Sequence, residues 1–315
     1  MPASVPHCSD PSSCGGVVVT YRPDPGFAAR LAAMCQEVGR MVVVDNTATS
    51  ATSDSLAAIR AHCGCQLLCN DSNLGTAAAL NRGFAELERL GCRWAVAFDQ
   101  DSTPEAGLVA HLRAYADRQP DRPAAVVGSN WIDAARGGPS RFLTRHPSLP
   151  LCFKRVTAER DLPAVTTVIM SGALFSLAAW RALGGFDESL FLDLVDADYC
   201  LRTRRAGRAV SVAANARLLH PRGRKRAVRF LGRTWWPAFM PTWRLHHLFR
   251  NRVLLFRRHA WREPHWAAFE ITYALKILAE VVFLEDQTFA KLGACLRGTW
   301  DGVWGRRRPL SRPSP

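Results

Sequence analysis

The sequence lacks the two glycine-rich loops with which many nucleotide-binding proteins hold phosphate groups. Neither a GxxxxGKS/T loop nor a GxGxxG turn follows its first apolar run, Gly16–Tyr21. This absence excludes P-loop NTPases and dinucleotide-binding domains of the GxGxxG type. Any phosphate that the protein binds has to be held in another way.

The N-terminus lacks a basic start followed by an apolar run, so we expect no secretory signal and a chain that stays in the cytosol. In that reducing compartment the ten cysteines are expected to be free thiols. A zinc site can be drawn from His62, Cys63, Cys65 and Cys69, but no second CxxC-type pair completes it. Buried structural thiols are the favoured interpretation.

Long uncharged stretches are scarce. The exception is Leu162–Trp180, which has 19 residues without a charge and approaches the length that spans a membrane. Pro163, Thr166 and the Ser171-Gly172 pair interrupt it, which predicts a strand, a turn and a helix start. We therefore predict that this stretch is buried core.

Acidic residues are scarce in the C-terminal third. Residues 201–315 carry 24 Lys and Arg against 6 Asp and Glu, whereas residues 1–200 carry 17 against 21. Such a basic segment requires a polyanionic neighbour, which nucleic acid, anionic lipid or a diphosphate substrate would each satisfy. Charge alone does not choose among the three.

What the sequence does contain is an alternation of short apolar runs with helical segments. The apolar runs are Gly16–Tyr21, Met41–Asp45, Gln66–Cys69, Trp94–Phe98 and Ala124–Gly128. The helical segments are Phe27–Val38, Ser53–His62, Leu74–Leu90 and Pro104–Ala116. This order predicts an α/β fold with a mostly parallel, doubly wound sheet and helices on both faces.

Polar residues follow each of the first four strands, where ligands of such sheets bind. They are Tyr21-Arg22, Asp45-Asn46, Asn70–Asn73 and Asp99–Asp101. Each Asp or Asn taken singly is better explained as a turn former or a helix cap. Their coincidence at four strand ends favours a site, in which Asp99 and Asp101 could hold a divalent cation that neutralises a diphosphate.

Several further motifs follow these in a fixed order. They are Val17–Tyr21, Val44–Asn46, Asn73–Gly83, Asp99–Asp101, Gly184–Glu188, Asp193–Arg202 and His220. With this set the chain resembles the inverting family 2 glycosyltransferases, most closely the rhamnosyltransferase-like members, over roughly Val17–Asn251. The resemblance implies the Rossmann-like GT-A fold and a metal-dependent enzyme that uses a nucleotide-sugar.

The resemblance also implies roles for the residues that follow the strands. Thr20 and Tyr21 would line the base pocket, and Asp45 and Asn46 would lie under the nucleoside. Asn73, Asn81 and Arg82 would approach the ribose or diphosphate. Asp99 would lie near the ribose, and Asp101 with His220 would bind Mg2+ or Mn2+.

On the acceptor side, Asp196 matches the family's general base, although Val195 replaces the usual preceding Glu. The resemblance further implies acceptor contacts for Asp187, Asp193 and Arg250. Alternatives remain open from the residues themselves. Asp187 is also explained by a structural turn, and Asp193 by an acidic first helical turn that the helix dipole stabilises.

We predict four segments: a flexible N-terminus (1–14), a nucleotide-sugar-binding and catalytic domain (15–225), a basic, aromatic-rich helical extension (226–304) and a disordered tail (305–315). The resemblance implies dTDP-rhamnose as the donor and a cell-surface glycan or lipid-linked acceptor, with a UDP-sugar as the alternative donor. Trp235-Trp236 and the cations of Arg244–Arg252 predict peripheral attachment to an anionic membrane, at the inner face of the plasma membrane.

Two other function classes stay open. The basic tail would suit a nucleic-acid-binding protein, but no nucleic-acid motif is present and the paired acids would repel phosphate without a metal, so no nucleic-acid partner is expected. A catalytically silent sugar-nucleotide-binding module would bind donor with metal and would be insensitive to loss of Asp196.

Overall fold

A computed structural model describes residues 13–47, 65–119, 124–133, 138, 140–149, 151–221 and 227–305. The chain divides into two compact units. The first comprises Met1–His146, Lys154–Phe191 and Val195–Arg222, and the second comprises Pro147–Phe153, Leu192–Leu194 and Gly223–Pro315. The predicted helix Ser53–His62, most of the predicted flexible N-terminus and the predicted disordered tail beyond Gly305 lie outside the described residues.

The first unit is built on an eight-stranded sheet in the order β3-β2-β1-β4-β9-β6-β10-β5. Its strands are β1 (Cys14–Thr20), β2 (Arg40–Asp45), β3 (Gln66–Cys69), β4 (Trp94–Asp99), β5 (Thr103–Pro104), β6 (Ala124–Asp133), β9 (Ala173–Ser176) and β10 (Ala209–His220). Strands β3, β2, β1 and β4 are parallel, β9 runs antiparallel between β4 and β6, and β10 is parallel to β6. This mixed sheet confirms the predicted, mostly parallel α/β fold.

The strands form because their apolar runs can be buried on both faces. Val17 and Val18 of β1 and Val42–Val44 of β2 are completely buried. Helices α1 (Phe27–Glu37), α2 (Gly75–Arg89), α3 (Leu108–Asp117), α4 (Leu177–Ala182) and α5 (Val195–Arg205) complete the unit, with the short strands β7 (Arg141–Arg145) and β8 (Phe153–Thr157).

Glycine lets α2 approach the sheet closely. A Cβ added to Gly83 would lie 2.5 Å from a methyl group of Val17, so packing is sufficient to explain this glycine. Gly75, at the start of α2, has φ +84° and lies against Phe191. The carbonyl of Phe191 accepts a hydrogen bond from the amide of Thr76 at 2.7 Å and so satisfies the helix terminus.

The uncharged stretch Leu162–Trp180 is mostly buried, in line with the prediction. Val165, Val168 and Met170 are buried, a turn follows at Ser171-Gly172, and the chain then enters β9 and α4. Among the helices that the structure describes, none is both long enough and apolar enough to cross a membrane.

The second unit contains the hairpin strands β11 (Val228–Phe230) and β12 (Arg233–Trp235) and three helices. The helices are α6 (Thr242–His259), α7 (Pro264–Leu284) and α8 (Thr288–Val303). Their core includes Leu245, Leu248, Phe249, Ile277 and Val281. Burial lowers the pKa of His247 on α6 to about 4, so this imidazole is neutral at pH 7.

Helices α6 and α8 cross at very short range. A Cβ added to Gly298 would lie 2.2 Å from the backbone oxygen of His246, and one added to Gly302 would lie 2.7 Å from that of Arg250. Two glycines four residues apart therefore present bare backbone to α6. Substitution at either position requires the helices to separate.

Candidate active site

The ends of β1 and β2 are joined through two of the predicted nucleoside-binding residues. The hydroxyl of Thr20 donates to Asp45 Oδ1 at 2.7 Å, and the hydroxyl of Thr47 donates to the same oxygen at 2.8 Å. Thr20 and Asp45 are both buried. The carboxylate of Asp45 is therefore fixed in place at the carboxyl edge of the sheet.

A second set of hydrogen bonds links this edge to α2. The amide of Asn46 donates to the carbonyl of Gly75 at 3.2 Å and accepts from Asn70 Nδ2 at 2.7 Å. Arg82 donates to Asn70 Oδ1 and, at 2.7 Å, to the carbonyl of Cys69. Asn73 accepts from the amide of Gly75 at 3.0 Å. The structure thus brings Asn46, Asn73 and Arg82 to the same edge, with Asn70 as a connecting residue that sequence reasoning did not assign.

Gln100, the residue between the two acids, connects β4 to β1. Its side chain accepts from the amide of Tyr21 at 2.8 Å and donates to the carbonyl of Tyr21 at 3.2 Å. Its own carbonyl accepts from Arg30 at 2.7 Å. The backbone of Tyr21 is thereby held beside the Asp99–Asp101 loop, and its side chain is exposed.

Asp99, Asp101 and His220 form a cluster in which one ligand atom of each lies within 4.8 Å of the others. The pairing of β5 with β10 produces it, because Thr103 lies opposite Leu219 and so draws the Asp101 loop towards His220. Two carboxylates and an imidazole suit Mg2+ or Mn2+. The donor set therefore fits the predicted metal.

Two buried serines orient this cluster. The hydroxyl of Ser171 accepts from the amide of Asp99 at 2.9 Å and lies 2.7 Å from the hydroxyl of Ser102. Ser102 in turn lies 2.8 Å from His220 Nδ1. Sequence reasoning missed both serines. Ser102 could have been suspected from its place beside Asp101, but Ser171 is remote in sequence.

Asn81 lines an open cleft of about 370 Å³ together with Gly184–Glu188 and Arg202. Its amide nitrogen donates to the carbonyl of Phe186 at 2.9 Å and to Glu188 at 2.8 Å. Its amide oxygen accepts from the amide of Phe186 at 2.8 Å and from Trp180 at 3.1 Å. These four bonds occupy the hydrogen-bonding capacity of the side chain, and they tie α2 to the Gly184–Glu188 loop.

Asp187 caps the short 3-10 helix Glu188–Leu190. Its Oδ1 accepts from the amide of Ser189 at 3.0 Å and from the hydroxyl of Ser189 at 2.6 Å. The structural turn that the sequence left open is therefore present. The same carboxylate lines the cleft described above.

The first turn of α5 carries two carboxylates in different surroundings. Asp198 is completely buried and accepts from Arg202 Nε at 2.7 Å. Arg202 also donates to the carbonyls of Leu183 and Gly185, both at 2.8 Å, and so anchors α5. Asp196 is only partly buried, and its Oδ1 accepts from the amide of Ala197 at 2.7 Å.

Asp193 and Arg250, the remaining predicted acceptor residues, belong to the second unit. Both carboxylate oxygens of Asp193 accept from Arg244, with a shortest distance of 2.9 Å. The amide of Asn251 donates to the carbonyl of Asp193 at 2.8 Å, and its oxygen accepts from Arg250 at 2.8 Å. Sequence reasoning missed Arg244 and Asn251 as partners of Asp193.

Comparison with curated proteins supplies the deciding observation. The dTDP-rhamnosyl transferase RfbF of Shigella flexneri is 29% identical over 259 residues, which cover 79% of this chain and 81% of the relative. Over most of its length the chain is therefore similar to rhamnosyltransferases, which supports a glycosyltransferase function. A second relative, the N-acetylglucosaminyl-diphospho-decaprenol L-rhamnosyltransferase of Mycobacterium tuberculosis, is 27% identical over 231 residues, 65% of this chain and 74% of the relative. No protein-family model matches the chain.

Solved structures agree on the fold of this glycosyltransferase. The crystal structure of S. aureus TarS 1–349 has a TM-score of 0.57 at 13% identity and covers 92% of this chain and 81% of its own. The same protein in complex with UDP-GlcNAc gives a TM-score of 0.54 at 11% identity, with 90% and 79% covered. At this level of identity the match supports the glycosyltransferase fold alone.

Replacing Ser171 by Ala in this glycosyltransferase is expected to weaken Mn2+ binding about tenfold, because hydrogen bonds behind metal ligands orient them. Titration with Mn2+ followed by calorimetry would measure this. Ser211→Ala is the matched control, since Ser211 is also buried in the sheet but its partners, a backbone carbonyl in β6 and Tyr115, are not members of the cluster. Equal Mn2+ affinity in Ser171→Ala and the wild type would contradict the role given to Ser171.

Proposed function

We propose that the enzyme transfers rhamnose from dTDP-rhamnose, with inversion at the anomeric carbon, to a hydroxyl of a cell-surface glycan or lipid-linked acceptor. The observation that carries the proposal is the Asp99, Asp101 and His220 cluster beside the fixed Asp45 carboxylate, at the carboxyl edge of the sheet. The name of the relative RfbF supports dTDP-rhamnose as the donor.

The donor would bind along the edge that these residues form. Thr20, Tyr21, Asp45 and Asn46 would hold the base and nucleoside, and Arg82 would face the diphosphate. Asp101 and His220 would hold Mg2+ or Mn2+, which neutralises the diphosphate as it departs. Gln100 would keep Tyr21 in line with this site, because it bonds to both backbone polar groups of that residue.

In the transfer step, the acceptor oxygen attacks the anomeric carbon from the face opposite the leaving group. The Asp196 carboxylate takes the hydroxyl proton as the new C–O bond forms. The bond from the anomeric carbon to the diphosphate oxygen breaks, and the nucleoside diphosphate leaves with its electron pair. A single displacement of this kind inverts the anomeric configuration.

The assignment of Asp196 is supported by its environment. Asp198, its neighbour on α5, is buried and paired with Arg202, so it cannot readily reach an acceptor. Asp196 retains contact with solvent. Asp187, in the cleft with Asn81 and Arg202, would then contact the acceptor, whereas Asp193 is engaged by Arg244.

A UDP-sugar, such as a galactofuranosyl or hexosyl donor, is the second candidate. The observation that favours it is the structural similarity to TarS, which was crystallised in complex with UDP-GlcNAc. We also propose that the enzyme is cytoplasmic and attaches peripherally to the inner face of the plasma membrane. The basic second unit, which would face anionic lipid, supports this attachment.

The test is calorimetric binding of dTDP, UDP and GDP to the full chain, each with and without Mn2+. We expect dTDP to bind more tightly than UDP and GDP, and only when Mn2+ is present, because the diphosphate would otherwise face Asp99 and Asp101 unscreened. A preference for UDP would favour the second candidate. Tight binding of a short DNA duplex with no response to any nucleotide would overturn the proposal.

A further inference from the structure

The second unit has a surface unlike that of the first. Among the described residues, every exposed large hydrophobic side chain lies in the second unit, apart from Tyr21, Leu74 and Leu219. Five of them are tryptophans, at positions 235, 236, 261, 300 and 304. Exposed apolar surface on this scale marks an interaction site, and tryptophan is enriched where proteins meet the membrane interface.

Helix α7 contributes a continuous stripe to this surface. Ile271, Leu275, Ala279 and Val282 recur at spacings of three and four residues, so they lie on one side of the helix. All four are exposed, and Phe283 beside them is 62% exposed. The opposite side of α7 carries Ile277 and Val281 and is buried in the core of the unit.

The β11–β12 hairpin extends this stripe. The ring of Phe230, on β11, lies 6.1 Å from the ring of Phe283. The hairpin then turns through Leu231 and Gly232, whose φ angles are +49° and +73°. Such two-residue turns favour Asn, Asp or Gly at both positions, because other residues are strained there.

Leu231 is therefore an outlier in two respects. Its backbone is left-handed, which is costly for leucine, and its side chain is 85% exposed. Neither turn propensity nor core packing explains a leucine at this position. Strain that is kept without a packing benefit points to function.

Arginines flank the apolar tip. Arg229 and Arg233 are exposed on either side of Leu231, and the sequence that precedes β11 carries four more Lys and Arg within residues 222–226. 

Apolar side chains flanked by arginine match the boundary between anionic headgroups and acyl chains. A second copy of the same surface would bring like charges together, so charge disfavours self-association as the way to cover it.

We infer that Leu231, the stripe on α7 and Phe283 beside it form a membrane-docking face that enters the acyl boundary of an anionic bilayer. Arg229 and Arg233 then lie at the headgroup level. The inference rests on the peripheral attachment proposed above and adds the surface that makes the contact. The face would hold the enzyme where a lipid-linked acceptor is located.

The test uses the full chain in co-sedimentation with vesicles of about 70% phosphatidylcholine and about 30% phosphatidylglycerol, and with phosphatidylcholine alone. The wild type is expected to bind the anionic vesicles and to be released by salt. Leu231→Asn is expected to weaken that binding about tenfold, because the variant lacks the leucine side chain that enters the bilayer. Asn suits the left-handed turn, so thermal stability is expected to be unchanged or higher.

Thr234→Asn is the matched control, because it places the same side chain at an exposed polar position of the same hairpin. Leu275→Ser tests the stripe independently and is also expected to weaken binding. Equal binding by the wild type, Leu231→Asn and Leu275→Ser would overturn the docking face while leaving membrane attachment intact.

Failure of the wild type to bind anionic vesicles would overturn both attachment and face. A wild type that is dimeric by light scattering, with Leu231→Asn monomeric, would show that a second copy covers this surface instead. Calorimetric nucleotide binding in the same preparations separates these outcomes from failure of the transferase proposal, since the docking face contains no donor-site residue.

Discussion

Asn in place of Asp101 is expected to lower sugar transfer at least about a hundredfold and to remove the dependence of nucleotide binding on Mn2+. The substitution keeps the shape of the side chain but removes the charge that pairs with the cation. Without that cation the diphosphate would meet Asp99 unscreened, both in the bound donor and as it departs. Calorimetry with dTDP, together with a rate measurement on a sugar acceptor, would measure the two effects separately.

Asp117→Asn is the control for Asp101→Asn, because it removes an exposed carboxylate of the same unit whose partner is Arg113 on α3. Asp117 lies at the end of α3 and is not a member of the cluster, so we expect binding and rate to be unchanged in it. Full Mn2+-dependent binding in Asp101→Asn would show that the cluster with His220 is not a metal site. The fold would then hold its nucleotide by the network around Asp45 and Asn46 alone.

Asn in place of Asp196 is expected to reduce kcat by about a thousandfold while leaving nucleotide affinity unchanged, because only proton removal from the acceptor is lost. The measurement is a comparison of the rate with saturating donor and the Kd for dTDP in the same preparation. A loss of donor affinity parallel to the loss of rate would indicate that Asp196 shapes the donor site instead.

Asp198→Asn is the matched comparison for Asp196→Asn, since Asp198 lies two residues after Asp196 on the same helix. Asp198 is buried and paired with Arg202, so its replacement is expected to lower the free energy of unfolding by roughly 3 kcal/mol. Thermal unfolding would separate this stability effect from the catalytic effect at Asp196. If Asp196→Asn were the destabilising variant and Asp198→Asn the inactive one, the assignment of the base would have to be exchanged.

The central sheet could be predicted because its information is local. Runs such as Met41–Asp45 and Trp94–Phe98 are apolar throughout, which identifies buried strands, and the residues that follow them necessarily share one edge. The insertion of β9 as an antiparallel strand between β4 and β6 could not be predicted in this way. Its partners lie far away in sequence, and no pattern within Ala173–Ser176 specifies strand order.

Partners that are distant in sequence also explain why the contacts of some site residues could not be predicted. Asn81 was singled out as an unusual residue within a good helix, but its partner Phe186 lies 105 residues further on. From the sequence the amide could as well have faced a ligand as a loop. Ser171 carried no local signal at all, because a serine before a glycine reads as a turn whether or not it lies behind a metal ligand.

The close approach of Gly298 to the His246 carbonyl makes a residue without a functional group one of the least replaceable in the second unit. Surface arginines of the helical unit can be exchanged with little consequence for its packing, whereas even one methyl group at position 298 or 302 has no space. These two positions offer a ligand nothing and carry no charge. They nevertheless restrict the set of sequences able to form this unit. A chimera that joins these helices to another catalytic domain therefore has to keep glycine at both positions.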